Sequence, residues 1–355
     1  MNILFATAQP FPPQIAGGMQ ICVDGLIKDL GRRGHHASLL CGLSGKGYLA
    51  FRDRILLKVT GRKNVRDSFL GYPVWRGWFP WESVAEITAR TRPDVIVVPC
   101  GQPARVAIAA KATGIPVVMW LQDVEFGNHG GDFNILGNIP CIANSNFTAE
   151  RYRNNYNVDP QVIHPVIDAG KYKTETNKKY VTFINPHPYK GVRLALDIAE
   201  KCPDIPFAFV ESWTLEPADR VYLEERLATL PNVTLHPPVR DMKKIYSQTR
   251  ILLAPSQWEE AYGRIASEAQ FSGIPVIASK RGGLPEAVGP GGILLNADDP
   301  AEIWALALQK LWHDEASYAA LSEKALEHSK RAALNTETQY QSWEKTLLQA
   351  AGHTS

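Results

Sequence analysis

The chain has 355 residues, of which 45% are hydrophobic and 21% are charged. This composition excludes a disordered, collagen-like or coiled-coil protein, and the length predicts two domains at roughly 150 residues each. Because 38 Lys and Arg residues nearly balance 36 Asp and Glu residues, the net charge of +2 argues against a surface that coats nucleic acid.

Three simple features bear on the compartment in which the protein works. The five cysteines form no Cys-x-x-Cys pair, which favours neither a disulfide framework nor a zinc site and is typical of a reducing cytosol. The first residues are expected to form a buried strand and not a signal peptide. No run of about 18 apolar residues predicts a membrane span. We expect a cytoplasmic protein, and peripheral contact with the inner face of a membrane stays open.

Short apolar runs alternate with segments of helical period, which is the pattern of strand and helix units on a parallel sheet. In the first half the predicted strands cover residues 3–6, 37–41, 95–99, 116–120 and 141–144, and the series ends at residues 162–168. In the second half they cover residues 180–184, 207–210, 233–235, 251–254, 275–278 and 292–295. Residues 302–350 have helical period almost throughout.

The polar, lysine-rich segment 169–179 predicts a linker between the two series. We therefore predict an N-terminal domain of residues 1–170 and a C-terminal domain of residues 171–332. Residues 333–355 are expected to form a helix that packs on the N-terminal domain. Two doubly wound halves of this kind place a ligand in the cleft between them.

The densest group of candidate residues is the segment 255–269, directly after a predicted strand. A helix is expected to start around Tyr262, so that the amides of its first turn bind phosphate. Glu260 lies before this helix and Glu268 about two turns into it, and carboxylates accept hydrogen bonds from sugar hydroxyls. The alternative is an ordinary helix-cap acid at Glu260 and a solvated or salt-bridged residue at Glu268.

Three further turns follow predicted strands. Gly17 and Gly18 precede the first helix, where glycine allows positive φ and close approach of a ligand. They do not form the Gly-x-Gly-x-x-Gly fingerprint of dinucleotide sites. Lys190 follows the first strand of the second half, where its ammonium can offset the charge of a diphosphate. Residues 281–286 form a glycine turn at the same edge. The alternatives are a plain turn at Gly17 and Gly18, a surface lysine at Lys190 and a helix start at residues 281–286.

In this order the motifs resemble the GT-B glycosyltransferases, and most closely the large retaining family four, also called glycosyl transferases group 1. The resemblance covers roughly residues 1–330. Its specific part is Glu260 and Glu268 with seven residues between them and Gly263 inside, followed by segments 273–278 and 282–286. In the first half Gly17-Gly18, Gly34-His35, residues 143–148 and residues 162–168 follow the family's order.

The resemblance implies a GT-B fold, with two Rossmann-like parallel-sheet domains facing a central cleft and a C-terminal helix that crosses back to the first domain. It implies transfer of a sugar, with retention, from a nucleoside diphosphate sugar to a hydroxyl acceptor, without a metal or another cofactor. By the resemblance Glu268 binds the ribose hydroxyls and Glu260 binds the transferred sugar. The other implied donor-binding residues are Gly17, Gly18, Asn185, Lys190, Ala261, Tyr262, Gly263, Arg264 and Ile265.

Two positions depart from the family's pattern. Asn185 stands where the family usually has an arginine five residues before Lys190, which removes a full charge from the diphosphate site. Gln122 stands where the family often has a histidine, and it can bind a sugar hydroxyl but cannot titrate. We predict Gln122, Lys190 and Glu260 as the catalytic residues. His129 is a candidate substitute for the missing histidine, although a solvent-exposed loop histidine is the stronger expectation.

The acceptor side has a weaker signal. Residues 51–67 contain six basic and two acidic residues, a net charge of +4, and aromatic residues follow at 72, 75, 78, 79 and 81. This combination can stack a sugar acceptor or rest on an anionic membrane that carries a lipid-linked acceptor. The alternative is a solvated basic loop with the aromatic residues in the core. A nucleic-acid partner is not expected.

Two other classes of function stay open. One is a sugar-nucleotide epimerase or hydrolase on the same frame. The other is a non-catalytic nucleotide-sugar-binding protein, which Asn185 and Gln122 favour somewhat. We expect a UDP- or GDP-sugar as donor, although family members often contact the base through main chain. The acceptor is expected to be a glycan, a lipid-linked sugar or a small molecule.

Overall fold

The computed structural model describes residues 1–352, and at positions 135 and 136 the backbone alone. Contacts divide this part of the chain into two compact units. Unit 1 is Met1–Val166 together with the chain from Thr336 onward, and unit 2 is Ile167–Asn335.

Unit 1 is built on a sheet whose strands run in the order β3-β4-β2-β1-β5-β6-β7-β8. The strands are β1 Asn2–Pro10, β2 His36–Gly42, β3 Val65–Asp67, β4 Val74–Gly77, β5 Val95–Val98, β6 Val117–Leu121, β7 Cys141–Ala143 and β8 Gln161–Val162. All neighbours pair in parallel except β3 and β4, which are antiparallel. The helices between them are α1 Gly18–Arg32, α2 Gly47–Thr60, α3 Val84–Thr91, α4 Pro103–Lys111 and α5 Asn146–Tyr156.

The first strand shows why this sheet is buried on both faces. Ile3 and Phe5 lie in one apolar cluster, and Leu4 and Ala6 lie in another. Successive side chains of a strand point to opposite faces, so a strand with helices on both sides has a continuous apolar sequence.

Unit 2 repeats this architecture with parallel strands in the order β11-β10-β9-β12-β13-β14. They are β9 Tyr180–Ile184, β10 Phe207–Val210, β11 Val233–His236, β12 Thr249–Ala254, β13 Val276–Ser279 and β14 Gly292–Leu295. The helices are α6 Val192–Glu200, α7 Pro217–Leu227, α8 Lys243–Tyr246, α9 Arg264–Gln270, α10 Leu284–Val288, α11 Ala301–His313 and α12 Glu315–His328. The predicted α/β class, with a parallel sheet in each half, is confirmed.

The last helix, α13 Thr336–Ala350, belongs to unit 1. Its Trp343 is fully buried and meets Trp120 of β6 edge-on, with ring centroids 4.5 Å apart. Arg33, after α1, forms an ion pair of 2.6 Å with Glu337 on the same helix. The chain therefore returns to its first unit after completing the second. No helix among residues 1–352 has both the length and the apolar character that a membrane span needs.

The segment between β2 and β5 departs from the sequence prediction. Residues 51–67, for which a solvated loop was one interpretation, lie in α2, the turn after it and β3. Of the aromatic residues that follow, Tyr72 and Trp75 are buried, whereas Trp78 and Phe79 are exposed. Neither the helix nor the strands β3 and β4 were predicted.

Candidate active site

The strand order of unit 2 reverses between β9 and β12, which are neighbours in the sheet. The loops that follow them, residues 185–191 and 255–263, therefore lie side by side at the carboxyl edge. The backbone N–H of Gln257 donates to the carbonyl oxygen of Tyr189 at 2.9 Å and joins the two loops. Open parallel sheets bind ligands at such a reversal point.

Lys190 and Glu260 meet at this point. The Nζ atom of Lys190 donates to Oε1 of Glu260 at 2.5 Å, and Oγ of Ser256 donates to the same oxygen at 2.7 Å. Both side chains of the ion pair are 14% exposed, so Lys190 is not a freely solvated surface lysine. Both described partners use Oε1, which leaves Oε2 of Glu260 to accept a hydrogen bond from a ligand.

Two tryptophans contact the lysine, and a tyrosine stacks on one of them. The Nζ atom of Lys190 lies 4.9 Å from the ring centroid of Trp213 and 5.1 Å from that of Trp258, which is cation–π distance. Tyr189 stacks on Trp258 with ring centroids 5.2 Å apart. The sequence reasoning missed both tryptophans. The available signal was that each follows a predicted strand at the carboxyl edge of the sheet.

Asn185, which replaces the family's usual arginine, shapes the loop. Its φ of +67° is in the left-handed region, which asparagine tolerates better than most residues. Its buried side chain accepts a hydrogen bond through Oδ1 from the backbone N–H of Trp213 at 3.1 Å. Asn185 thereby fixes the backbone of a tryptophan that contacts Lys190.

His187 lies in the same cluster, with ring centroids 5.0 Å from Tyr189 and 5.3 Å from Trp213. Burial lowers the pKa of its imidazole below the usual value and outweighs the charge of Asp219, which raises that pKa, and the nearby Lys190 ammonium lowers it further. At neutral pH, His187 is therefore neutral, and Lys190 supplies the positive charge of this cluster.

The helix predicted to start around Tyr262 begins two residues later, at Arg264. Gly263 is its N-cap and has a φ of +95°, and a Cβ atom there would lie 2.6 Å from Cδ2 of Leu284. The amides of Ala261 to Gly263 thus belong to a loop, whereas those of Arg264 and Ile265 belong to the first turn. The Tyr262 ring is buried, and its hydroxyl accepts from Arg331 at 2.6 Å.

The glycine turn after β13 supports that loop. Gly283 donates its N–H to the carbonyl oxygen of Glu260 at 2.6 Å. A Cβ atom at Gly282, where φ is +62°, would lie 2.5 Å from the backbone nitrogen and oxygen of Glu260. The predicted helix start is also present, because α10 begins at Leu284. The turn therefore positions the backbone of Glu260.

Glu268 is the fifth residue of α9, so it lies little more than one turn into the helix and not two. It is buried, and it accepts from the Tyr246 hydroxyl at 3.0 Å and from Arg264 at 3.1 Å. Burial and the Glu268 charge raise the pKa of Tyr246 well above its usual value, so the phenol stays a donor. A carboxylate has about four acceptor positions, so capacity for a ligand remains.

In unit 1, Gly17 is the N-cap of α1 and has an extended backbone with a φ of −155°. Gly18 is the first residue of the helix, and neither glycine has a positive φ. The ability of glycine to adopt a positive φ, which suggested a ligand-binding turn, is therefore not used at these two positions. The two glycines still lie between the end of β1 and the amino end of α1, where they were predicted.

Three polar side chains follow the adjacent strands β5, β6 and β7 and form what we call the polar edge, namely Gln102, Gln122 and Asn144. One buried polar atom of each has no hydrogen-bond partner among the described residues: Oε1 of Gln102, Nε2 of Gln122 and Oδ1 of Asn144. A buried polar atom without a partner costs about 1 to 3 kcal/mol. The predicted residue Gln122 thus lies in a group suited to a polar ligand.

His129 is almost completely buried, so the expectation of a solvent-exposed loop histidine was wrong. Its Nε2 atom lies 3.0 Å from the Tyr152 hydroxyl, and its Nδ1 atom lies 3.5 Å from that of Tyr156. The two tyrosines come from α5, which packs over the loop. Among residues 1–352, no three His, Cys, Asp or Glu side chains form a group that could hold a metal ion.

Comparisons with known proteins assign both units. Residues 16–171 match the family model described as Glycosyltransferase Family 4, and residues 179–314 match that of Glycosyl transferases group 1. The chain belongs to glycosyltransferase family four. The resemblance read from Glu260, Glu268 and the glycine turns is confirmed.

Solved structures agree with the GT-B fold of this family-four chain. HepE of Anabaena in complex with UDP-glucose has a TM-score of 0.77 at 20% identity and covers 98% of this chain and 100% of its own. Sucrose-phosphate synthase of Thermosynechococcus elongatus has a TM-score of 0.77 at 16% identity. The match covers 99% of this chain and 100% of the synthase chain.

Curated relatives match shorter stretches of the family-four chain. A D-inositol 3-phosphate glycosyltransferase of Mycobacterium sp. (strain KMS) is 28% identical over 212 residues, which are 53% of this chain and 47% of the relative. One of Corynebacterium kroppenstedtii is 42% identical over 96 residues, 26% of this chain and 21% of the relative. The chain thus spans about half the length, or less, of these relatives.

Proposed function

We propose that the protein transfers a sugar, with retention of configuration, from a nucleoside diphosphate sugar to a hydroxyl acceptor. The observation that carries the proposal is the ion pair of Lys190 and Glu260 at the reversal point of unit 2. A fixed cation beside a carboxylate fits a ligand that combines an anionic diphosphate with a polyhydroxylated sugar.

The roles follow from charge and hydrogen-bonding capacity. The Lys190 ammonium and the amides from Ala261 to Ile265 stabilise the charge of the departing diphosphate, and this needs no metal in our proposal. Oε2 of Glu260 accepts from a hydroxyl of the transferred sugar. The remaining acceptor positions of Glu268 bind the ribose hydroxyls, and Nδ2 of Asn185 adds a neutral donor.

The proposed chemical step is a displacement on one face of the sugar. The bond from the anomeric carbon to the acceptor oxygen forms as the bond to the diphosphate oxygen breaks. The departing phosphate oxygen takes the acceptor's proton, so no titratable side chain is needed at Gln122. Its role, with Gly17 and Gly18 of the same unit, is to bind substrate hydroxyl and phosphate oxygens.

For the acceptor, we propose the polar edge of unit 1. Its unpaired amide atoms offer both a donor and acceptors, which matches a hydroxylated molecule such as a glycan, a lipid-linked sugar or a polyol phosphate. Curated relatives are named D-inositol 3-phosphate glycosyltransferases, which adds polyol phosphates to the set to be tested. Peripheral membrane contact belongs to the proposal, and nucleic acid does not.

We propose that the protein works in the cytoplasm. The thiols of Cys41, Cys100, Cys141 and Cys202 form no disulfide, and free thiols are typical of a reducing compartment. The donor is proposed to be a UDP- or GDP-sugar. HepE, which shares the fold, was solved with UDP-glucose and with UDP.

A donor screen tests the proposed function. Thermal unfolding with UDP-, GDP-, ADP- and TDP-sugars should show a higher midpoint with one nucleotide series, because a ligand that binds the folded state stabilises it by mass action. The selected donor, mixed with glycan, polyol phosphate and lipid-linked acceptors, should give a product whose anomeric configuration, read by NMR, equals that of the donor.

Each alternative function has its own outcome in this screen. Donor consumed or isomerised without incorporation into any acceptor would indicate a hydrolase or an epimerase. Nucleotide binding without turnover in any acceptor pool would indicate a non-catalytic binding protein. A product of inverted configuration would contradict the proposed displacement.

A further inference from the structure

Helix α2 of unit 1 has two apolar faces, and only one of them is covered. Leu49, Ala50, Asp53 and Leu57 are buried. The opposite face carries Tyr48, Phe51, Ile55 and Val59, which are 79%, 65%, 47% and 79% exposed and which we call the α2 stripe. Spacings of three and four residues place these four side chains on one side of the helix.

Further apolar side chains adjoin the α2 stripe. The guanidinium of Arg52 lies 5.5 Å from the ring of Phe69, and that of Arg54 lies 5.9 Å from the ring of Trp78. Both rings are exposed. Of the fifteen large hydrophobic side chains found exposed in the described part of the chain, eight fall between residues 48 and 79. Single exposed apolar residues are ordinary, but a concentration of this kind indicates an interaction surface.

The charge around the α2 stripe is positive. The two acids of this segment are buried, Asp53 against Arg52 and Asp67 against Arg76. Among residues 1–352, no carboxylate lies within ion-pair distance of Lys46, Arg54, Lys58 or Arg62, four cations on or beside α2. An apolar helix face rimmed by basic residues is the composition of helices that lie in the interface of an anionic membrane.

We propose that the α2 stripe docks on the surface of an anionic phospholipid bilayer. The apolar side chains enter the boundary between headgroups and acyl chains, and the four cations contact lipid phosphates. A second copy of the chain fits less well, because a twofold contact through this face would bring like charges together. This inference rests on the peripheral membrane contact named under the proposed function and gives it a surface. Docking needs neither donor nor transfer, so a failure of docking leaves the proposed sugar transfer standing, and the reverse.

The test is sedimentation of the full chain with vesicles. We expect binding to vesicles of equal parts phosphatidylglycerol and phosphatidylcholine, weaker binding in high salt, and little binding to phosphatidylcholine alone. The triple variant Phe51→Ser, Ile55→Ser, Val59→Ser should bind about tenfold or more weakly, because it loses most of the buried apolar area. Charge reversal at Lys58 and Arg62 should also weaken binding.

A matched control is offered by Val221 and Leu306, which are 54% and 63% exposed in unit 2. The double variant Val221→Ser, Leu306→Ser should bind vesicles as the wild type does. An unchanged circular dichroism spectrum and unfolding midpoint would show that the stripe variant is folded. A wild type that does not bind the anionic vesicles, or a stripe variant that binds them fully, would overturn the proposal. Loss of a dimer in the stripe variant, without vesicle binding, would identify a second copy as the occupant.

Discussion

The variant Lys190→Ala should lower kcat/KM for the sugar donor by about 100- to 1,000-fold, the effect of removing one fixed group that stabilises developing negative charge. The substitution removes the ammonium held between Trp213 and Trp258. It also leaves the Glu260 carboxylate without its cation at the place where a diphosphate would lie. Steady-state kinetics and calorimetric titration with the nucleoside diphosphate measure the two consequences.

Lys201 provides the matched control in the same unit. Its Nζ atom lies 2.6 Å from Oε1 of Glu302, an ion pair of similar length, but both side chains are exposed. The pair lies beyond the carboxyl end of α6 and not in the loops at the carboxyl edge of the sheet. The variant Lys201→Ala should keep wild-type kinetics. Equal losses in both variants, or wild-type donor binding in Lys190→Ala, would remove Lys190 from the site.

The second large effect is expected on stability. The variant Glu268→Ala removes the buried carboxylate that accepts from Arg264 and Tyr246, and loss of one partner from a buried pair costs about 3 to 5 kcal/mol. For a unit of this size the unfolding midpoint should fall by about 10 °C. The exposed carboxylate of Glu315, 2.6 Å from Arg250, is the control, and Glu315→Ala should leave the midpoint nearly unchanged.

The variant Glu268→Gln separates ribose binding from folding, since it keeps the shape of the side chain and one acceptor oxygen. The wild type should bind the nucleoside diphosphate about tenfold more tightly than its 2′-deoxy analogue, the value of a hydrogen bond to a charged group. In Glu268→Gln this preference should shrink toward equality. A full preference for ribose in that variant would show that the role of Glu268 is confined to holding Arg264 and Tyr246.

The core of the fold could be predicted from the sequence because parallel strands covered on both faces are apolar without interruption, as in residues 3–6. The strand β4 failed this criterion. It contains Arg76, which is fully buried only because Asp67 of β3 and the carbonyl oxygens of Phe11 and Pro12 accept its hydrogen bonds. Helix α2 was missed because its exposed face is apolar too, which blurs the helical period.

The candidate site was predictable where its residues follow one strand, and not where it depends on distant contacts. Lys190 and Glu260 were found by their positions after β9 and β12. Lys190 contacts Trp213, and Gly283 donates a hydrogen bond to Glu260. Each contact joins segments that are distant in the sequence, so no local spacing of residues reveals it. The burial of His129 is similar, because the tyrosines that cover it come from α5.

The most direct test of the central claim is hydrogen–deuterium exchange of the full chain with saturating UDP and, in parallel, GDP. If unit 2 binds the diphosphate at its reversal point, amides in residues 185–191 and 255–265 should exchange more slowly with the nucleotide that the protein uses. Amides at the opposite edge of the same sheet, in residues 202–206 and 228–232, should be unaffected. The claim would be contradicted if a nucleotide stabilised the protein but exchange did not slow in residues 185–191 and 255–265. Slower exchange confined to the opposite edge would contradict it as well.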